Sequence, residues 1–200
     1  MIKAVFFDVG GVLVRLIGRR PRFEAARLLG VSRNELLPIF RSRMRQIMEG
    51  KLSEHAFWNL IGREYQSSGR EVRQLMEIFS HRKPHLKIRV RAIATRLRQN
   101  GYMVGILSDV IPSHVKQNRR FGIYRGFHPV LLSCVIGAVK RRKMAFRVAA
   151  RRANVKFSEM AFVDDRRENV AIAKKLGIHA FVYKNSAQLG RALRRLGVKV

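Results

Sequence analysis

The sequence predicts an α/β fold: a parallel sheet of about five strands with helices on both faces, together with a small all-helical module. Two observations support this prediction. Short apolar runs of strand character alternate with amphipathic helical patterns along most of the chain, which is typical of parallel strands joined by right-handed crossovers. The exception is a stretch of about 70 residues after the first strand, which has no strand-like run and is too long for a simple crossover.

The strands and the helices that connect them can be placed from their periodicity. Strands are predicted at residues 2–7, 102–107, 129–133, 160–163 and 179–182. Crossover helices are predicted at residues 86–99, 113–121, 144–153, 167–176 and 186–196. Gly177 and Gly197 stand where helices commonly end in a glycine. With 200 residues, 47% of them hydrophobic, the chain can bury a sizeable core.

The strand-free stretch contains four amphipathic helical patterns, at residues 23–29, 32–48, 53–64 and 70–79. Ser32 and Ser53 precede two of these patterns and are suitable N-caps. We therefore expect residues 16–82 to form a separate helical module over the carboxyl edge of the sheet. The sheet-bearing core then comprises residues 1–15 and 83–200.

All four aspartates of the chain directly follow an apolar, strand-like run, or stand one residue beyond it. They are Asp8, Asp109, Asp164 and Asp165. Because the carboxyl ends of parallel strands share one edge, where open α/β sheets bind ligands, these carboxylates are expected to converge in one crevice. Carboxylates held close together raise one another's pKa and favour a divalent cation.

Four ordered motifs resemble those of the haloacid dehalogenase-like (HAD) hydrolase superfamily, in the branch with a helical cap inserted after the first strand. Asp8 ends the first strand and is followed by two glycines, and an apolar strand at residues 105–108 ends in Ser108. Lys140 has a phenylalanine six residues further on, and the acidic fourth motif covers residues 161–169. The resemblance extends over essentially the whole chain and implies a Rossmann-like core with a helical cap.

The resemblance also implies a role for each motif. Asp8 would be the nucleophile that forms an aspartyl-phosphate, which divides one difficult hydrolysis into two easier steps. Ser108 would donate a hydrogen bond to the transferring phosphoryl group. Lys140 would neutralise the charge of that group and help to orient Asp8.

A magnesium ion is the cofactor that the resemblance implies. Its ligands would be the Asp8 carboxylate, the Gly10 backbone carbonyl and an acidic residue of the fourth motif. Asp165 is the favoured direct ligand, and Asp164 is expected to act through water. Hard oxygen ligands with several retained waters suit Mg2+.

Each candidate also has a purely structural interpretation. Asp8 could be a turn residue at a strand end, Ser108 could cap the following helix, and Lys140 could be one more solvated cation. Asp164 and Asp165 could cap the helix at residues 167–176. Two further residues, Asp109 and Asn169, could either support the site or cap local structure.

Two departures from the family pattern bear on activity. Gly10 occupies the position where the family usually carries the aspartate that serves as general acid and base, and losing such a group typically costs about 100 to 10,000-fold in rate. Residues 140–143 are all cationic where the family has Lys-Pro-Asp-Pro, which places positive charge at a helix N-terminus. This cluster could aid anion capture or misplace Lys140.

The charge of the chain is extreme. Its 42 lysines and arginines against 13 acidic residues give a net charge of +29, which predicts attraction to nucleic acids, anionic lipids and phosphorylated solutes. Cys134 is the only cysteine, which excludes an intrachain disulfide. The N-terminal apolar run is too short for a signal peptide, and no run is long enough to span a membrane, so we expect a cytoplasmic protein.

Three functions follow from these observations. The leading hypothesis is a Mg2+-dependent phosphatase acting on a small phosphorylated metabolite. The second is a catalytically impaired or engineered supercharged scaffold that binds nucleic acid or other polyanions non-specifically. The third is a metal-independent haloacid dehalogenase, against which the Asp164 and Asp165 pair argues. The oligomeric state is open.

Overall fold

The sheet of the protein has five strands, all of them parallel. In the computed structural model, which describes residues 1–15, 20–80 and 83–200, the strand order is β3-β2-β1-β4-β5. The strands are β1 Ala4–Phe7, β2 Met103–Ser108, β3 Val130–Leu132, β4 Met160–Asp164 and β5 His179–Val182. The predicted α/β fold is confirmed, and every predicted strand is present with its ends shifted by at most two residues.

Ten α-helices lie in the described residues. They are α1 Arg20–Leu28, α2 Arg33–Met48, α3 Glu54–Glu64, α4 Gly69–Ser80, α5 Ile88–Gln99, α6 Pro112–Arg120, α7 Ser133–Ile136, α8 Lys143–Ala153, α9 Arg167–Lys175 and α10 Ser186–Arg195. The single turn α7 begins at Ser133, where the sequence predicts the last strand residue. The Ser133 hydroxyl accepts a hydrogen bond from the Val110 backbone N–H at 3.0 Å. Gly137, in the left-handed region, ends that turn.

The sheet buries an apolar cluster on each face. Val5 and Phe7 of β1 point into the cluster that includes α5 and α10, whereas Phe6 points into the cluster that includes α8 and α9. This division follows from the alternation of side chains along a strand. Helices therefore cover both faces, and the polar residues at the strand ends remain free to form a site.

Helices α1 to α4 share a third apolar cluster, which also includes Ile111 at the start of α6. Four aromatic rings lie at its centre, with neighbouring centroids 4.8–5.9 Å apart: Phe40, Phe57, Trp58 and Phe79. Ser32 and Glu35 form a complete capping box at the start of α2, and Ser53 accepts from the Ala56 N–H at the start of α3. The predicted module boundaries, 15/16 and 82/83, adjoin residues 16–19 and 81–82, which lie outside the described residues.

Polar contacts seat α3 and α4 on helix α6. The Glu54 carboxylate accepts hydrogen bonds from the Ser113 N–H and hydroxyl, each at 2.7 Å. The ring of His114 contacts the Phe79 carbonyl oxygen at 2.8 Å. Because α6 follows directly on the carboxyl end of β2, these bonds place α3 and α4 at the carboxyl edge of the sheet.

None of the helices in the described residues is long and apolar enough to cross a bilayer.

Gly105 in β2 has no room for a side chain, and this gives a test of the fold. A Cβ at this position would lie 2.5 Å from the fully buried Phe6 ring and 3.0 Å from the Pro129 carbonyl oxygen. We expect Gly105→Ala to lower the free energy of unfolding by about 1–3 kcal/mol through overpacking, measured by urea denaturation.

Gly69→Ala is the matched control, because its Cβ would make only an ordinary contact, at 3.7 Å, with Arg73. Its stability should be unchanged or raised by up to about 1 kcal/mol. Equal stability of the two variants would contradict the packing described for β1 and β2.

Candidate active site

Three neighbouring strands end in polar side chains at the same edge of the sheet. Asp8 follows β1, while Ser108 and Asp164 are the last residues of β2 and β4. All three are buried. The Asp8 N–H donates to the Val163 carbonyl oxygen at 2.9 Å, which continues the β1–β4 ladder by one residue and fixes the direction of the Asp8 side chain.

The Lys140 ammonium joins two of these carboxylates. Its Nζ lies 2.9 Å from Asp8 Oδ1 and 2.6 Å from Asp164 Oδ2. Lys140 is only 2% exposed, so it is not a solvated cation. Its backbone N–H donates to Asp109 Oδ1 at 2.9 Å, so the aspartate after β2 holds the lysine in place.

Asp164 is engaged by protein donors through both of its oxygens. Oδ2 accepts from Asn169 Nδ2 at 3.0 Å as well as from Lys140, and Oδ1 accepts from the Arg166 N–H at 2.8 Å. Asn169 and Asp109 therefore both contact the site directly. Asp164 orients Lys140 and the start of α9 at the same time.

Asp165 lies against the turn that follows β1. A Cβ at Gly11 would be 2.3 Å from Asp165 Oδ2, and the φ of Gly11 is +76°, a conformation that favours glycine. The second glycine after Asp8 is thus required by the position of the Asp165 carboxylate. Gly10 belongs to the same turn and makes a bridge with Val14.

Lys87 is a residue of this site that the sequence did not single out. Its ammonium donates to the Gly11 carbonyl oxygen and lies 4.5 Å from the centroid of the Tyr183 ring. Burial lowers the pKa of Lys87, and the nearby Asp165 carboxylate opposes that shift. In a chain with 42 basic residues no sequence signal separates Lys87 from its neighbours.

The acidic side chains are close enough to share a cation. Carboxylate oxygens of Asp8, Asp164 and Asp165 lie within 4.8 Å of one another. Burial, reinforced by Asp164, raises the pKa of Asp8 to about 6 despite the nearby ammonium of Lys140. Burial and the Asp164 charge also raise the pKa of Asp165. Hard oxygen donors with excess negative charge are the chemistry that Mg2+ prefers, so the residues fit this ion.

Electrostatics keep Lys140 charged. Burial disfavours its ammonium form, but the combined attraction of Asp8, Asp164 and Asp109 outweighs burial and raises the pKa of Lys140 above its ordinary value. The lysine is therefore a permanent cation at physiological pH. It compensates part of the negative charge of the three carboxylates near it.

The structure brings most of the candidate residues together. Asp8, Lys140, Asp164 and Asp165 form one cluster, and Ser108 ends the strand beside Asp8. The cationic residues after Lys140 point outwards, and Arg142 lies 3.3 Å from Glu49 of the helical module. The unusual sequence at residues 140–143 thus leaves the Lys140 ammonium on the Asp8 carboxylate.

The fold and this site define a hydrolase of the haloacid dehalogenase-like class. The family model described as haloacid dehalogenase-like hydrolase matches residues 2–177, and the chain belongs to this family. A comparison with curated protein sequences finds no match.

Several solved structures share the fold over nearly their whole length. A predicted HAD-like family hydrolase from Porphyromonas gingivalis is 25% identical, with all of both chains covered and a TM-score of 0.78. The HAD family enzyme BT-2542 from Bacteroides thetaiotaomicron, in complex with magnesium, is 21% identical over 95% of this chain and 98% of that chain, with a TM-score of 0.79. A 2-haloacid dehalogenase from Pseudomonas syringae pv. Tomato DC3000 is 23% identical over 98% of this chain and 100% of that chain, with a TM-score of 0.67.

The buried ion pairs of Lys140 predict a large effect of its removal on stability. Lys140→Met leaves Asp8 and Asp164 without their shared cation, so we expect the free energy of unfolding to fall by about 3–5 kcal/mol at pH 7. Urea denaturation followed by circular dichroism measures the change.

Lys143→Met is the control, because Lys143 is exposed at the start of α8. Its stability should stay within about 0.5 kcal/mol of the parent protein. A Lys140→Met protein as stable as this control would show that the buried ion pairs are not formed.

Proposed function

We propose that the protein is a Mg2+-dependent phosphatase that hydrolyses a small phosphorylated molecule through an aspartyl-phosphate at Asp8. One observation carries this proposal: carboxylate oxygens of Asp8, Asp164 and Asp165 lie within 4.8 Å of one another, and the Lys140 ammonium pairs with two of these three residues, Asp8 and Asp164. Their remaining negative charge requires a cation before an anionic phosphate can approach. The HAD family enzyme BT-2542 has been crystallised in complex with magnesium and inorganic phosphate, the two ligands that this proposal expects at the site.

The first chemical step takes place at the Asp8 carboxylate. One of its oxygens attacks the phosphorus, a new P–O bond forms, and the bond to the leaving oxygen breaks. Lys140, held by Asp8 and Asp164, faces the same centre with a fixed positive charge. Ser108, at the end of the neighbouring strand, donates its hydroxyl to a phosphoryl oxygen in this mechanism.

The second step returns the enzyme to its starting state. Water attacks the aspartyl-phosphate, the P–O bond to Asp8 breaks, and inorganic phosphate leaves. A bound Mg2+, held by Asp8, Asp165 and the Gly10 carbonyl, would offset the negative charge of the carboxylate and the phosphoryl group. Asp164 has protein donors on both oxygens and contributes to the ion through water in this proposal.

Gly10 restricts the substrates that such an enzyme can use efficiently. A glycine supplies no general acid to protonate the departing oxygen, and loss of such an acid typically costs about 100 to 10,000-fold in rate. Substrates whose leaving group is already a weak base, such as aryl or acyl phosphates, suffer least. We therefore expect activity on these esters to exceed activity on simple alkyl phosphates.

Replacement of the nucleophile tests the proposal directly. We expect the protein to hydrolyse p-nitrophenyl phosphate with Mg2+ and to lose this activity with a chelator. Asp8→Asn should reduce kcat by more than about a thousandfold, because the amide cannot form the covalent intermediate. Release of nitrophenolate is the readout, and a thermal melt verifies that the variant is folded.

Glu159→Gln is the matched control, since Glu159 precedes β4 and lies at the end of that strand opposite to Asp164. It should retain the parent activity. Turnover by Asp8→Asn would refute the mechanism. Chelator-insensitive release of halide from a 2-haloacid, without phosphate hydrolysis, would establish the dehalogenase alternative in its place.

The raised pKa of Asp8 predicts how metal binding depends on pH. Because the pKa of Asp8 is about 6, the carboxyl is increasingly protonated below pH 6, and a metal ion must displace that proton. The apparent affinity for Mg2+ should fall about tenfold per pH unit below 6 for each displaced proton. Calorimetric titration with MgCl2 at pH 7.5 and pH 5 measures the difference, and equal affinities would contradict the assignment of Asp8 as a ligand.

A further inference from the structure

The positive charge of the protein is concentrated outside the helical module. Residues 1–15 and 83–200 contain only six acidic residues, and four of these are the aspartates of the active site. The other two are Glu159, which pairs with Lys3 at 2.6 Å, and Glu168. The arginines of this part of the chain therefore have few acidic side chains of the same part with which to pair.

Helix α5 arranges four of these arginines in two rows. Arg89 and Arg96 are seven residues apart on one flank, and Arg91 and Arg98 are seven residues apart on the other. This follows from the helical period, because the face between the rows, Val90, Ala94 and Leu97, is buried against the sheet. The opposite, outward crest is uncharged, and its residues are Ile88, Ala92, Thr95 and Gln99.

The flank with Arg91 and Arg98 borders a cleft of about 220 Å³ that Arg125 also lines. Two of these guanidinium groups are held by backbone carbonyls: Arg91 donates to Ile123 and Arg98 to Gly126, each at 2.9 Å. The φ of Gly126 is +76°, and a Cβ there would lie 2.1 Å from Arg98 Nη1. The absence of a side chain at Gly126 therefore leaves space for the Arg98 guanidinium group.

The other flank borders a cleft of about 270 Å³ between α5 and α10, lined by Arg89, Arg96 and Arg194. Arg194 donates to the Val200 carbonyl oxygen at 3.3 Å. The residues that line the two clefts, all in the described part of the chain, include no acidic side chain. Each cleft therefore presents three arginines without an acidic side chain in its lining.

We propose that these six arginines form a contact surface for the phosphate backbone of duplex nucleic acid. We call this set the α5 arginine surface: Arg89, Arg91, Arg96, Arg98, Arg125 and Arg194. The rows stand on opposite sides of a helix that is about 10–12 Å across, which is close to the width of about 12 Å of the DNA major groove. Each row spans about 10 Å along the helix, at 1.5 Å per residue.

The uncharged crest of α5 makes a duplex a better ligand than an isolated anion. Phosphates on the two sides of one groove can each meet a row of arginines, while Ala92 and Thr95 face the groove without burying a charge. Helix α10 and residues 122–127 border α5 and limit how deeply it can enter. The contacts are therefore with phosphates, and little base preference is expected.

Two other polyanionic partners fit this surface less well. Single strands are usually held by stacking on exposed aromatic rings, and Phe127, the one aromatic residue that lines either cleft among the described residues, is buried. A helix that lies in a membrane interface turns a broad apolar face to the lipid. The apolar face of α5 is turned to the protein core instead.

Charge-matched variants separate this surface from the overall charge of the protein. The first variant removes four cations of the surface: Arg89→Gln, Arg96→Gln, Arg98→Gln and Arg125→Gln. The control removes four cations at and after α8, whose apolar side packs in the cluster on the opposite face of the sheet: Arg147→Gln, Arg151→Gln, Arg152→Gln and Lys156→Gln. Both proteins then have the same net charge, and a thermal melt establishes that each is folded.

Fluorescence anisotropy with a labelled 20-base-pair DNA duplex, at 50 to 200 mM NaCl, is the measurement. We expect the α5 variant to bind at least about tenfold more weakly than the parent protein, with the slope of log K against log salt smaller by roughly 3 to 4. The control should lose no more than about twofold. If the fourfold variant folds poorly, a double variant at two exposed positions, Arg89→Gln with Arg96→Gln, replaces it. Its charge-matched control is then Arg151→Gln with Arg152→Gln.

Three results would overturn the proposal. Equal losses in both variants would show that the charge acts diffusely, and unchanged binding by the α5 variant would place the contact elsewhere. A preference for single-stranded DNA or for phosphatidylserine vesicles, abolished by the same four substitutions, would assign the surface to a different partner. None of these outcomes depends on phosphatase activity, so this test and that of the Asp8 nucleophile can fail independently.

Discussion

The contact of one buried ammonium with two buried carboxylates is the constraint on which the rest of the site depends. Asp8 and Asp164 stand at the ends of adjacent strands, and both are removed from water. Two carboxylates so placed repel each other, and both lose hydration on burial, so a cation between them offsets a large unfavourable energy. Lys140 compensates both, and Asp109 and Asn169 hold the members of this cluster in place. The loop between α7 and α8 therefore has to deliver a lysine to this point, whatever charges follow it in the sequence.

The sequence alone was enough to predict the strands, the crossover helices and the acidic side chains that cluster at the candidate site. Periodicity and position at a strand end are local properties that a sequence displays directly. Asp8, Asp164 and Asp165 stand out in a chain that has only four aspartates. Lys140 could be predicted as a site residue only from its position relative to the other motifs, because a lysine does not stand out among 42 basic residues. Lys87 could not be predicted as a site residue, because its place there depends on a contact with Gly11, which is distant in the sequence. The turn α7 was not predicted either.

A strongly basic surface and an acidic site coexist because the surface charges are screened by salt, whereas the charges of the site are buried. Exposed arginines act on solution ions over about a Debye length, roughly 8–10 Å at physiological salt. The buried carboxylates interact mainly with the few charges in direct contact with them. The surface charge therefore attracts anions to the protein, whereas Lys140 and the carboxylate cluster set the balance of charge inside the site.

The seating of α3 and α4 on α6 has a mechanical consequence. Glu54 and Phe79 bind the first residues of α6, and α6 is separated from Ser108 by only three residues. Any displacement of the two helices has to break these bonds or carry α6 along. The contacts of α3 and α4 with α6 are therefore connected, through three residues of chain, to the strand end that carries Ser108.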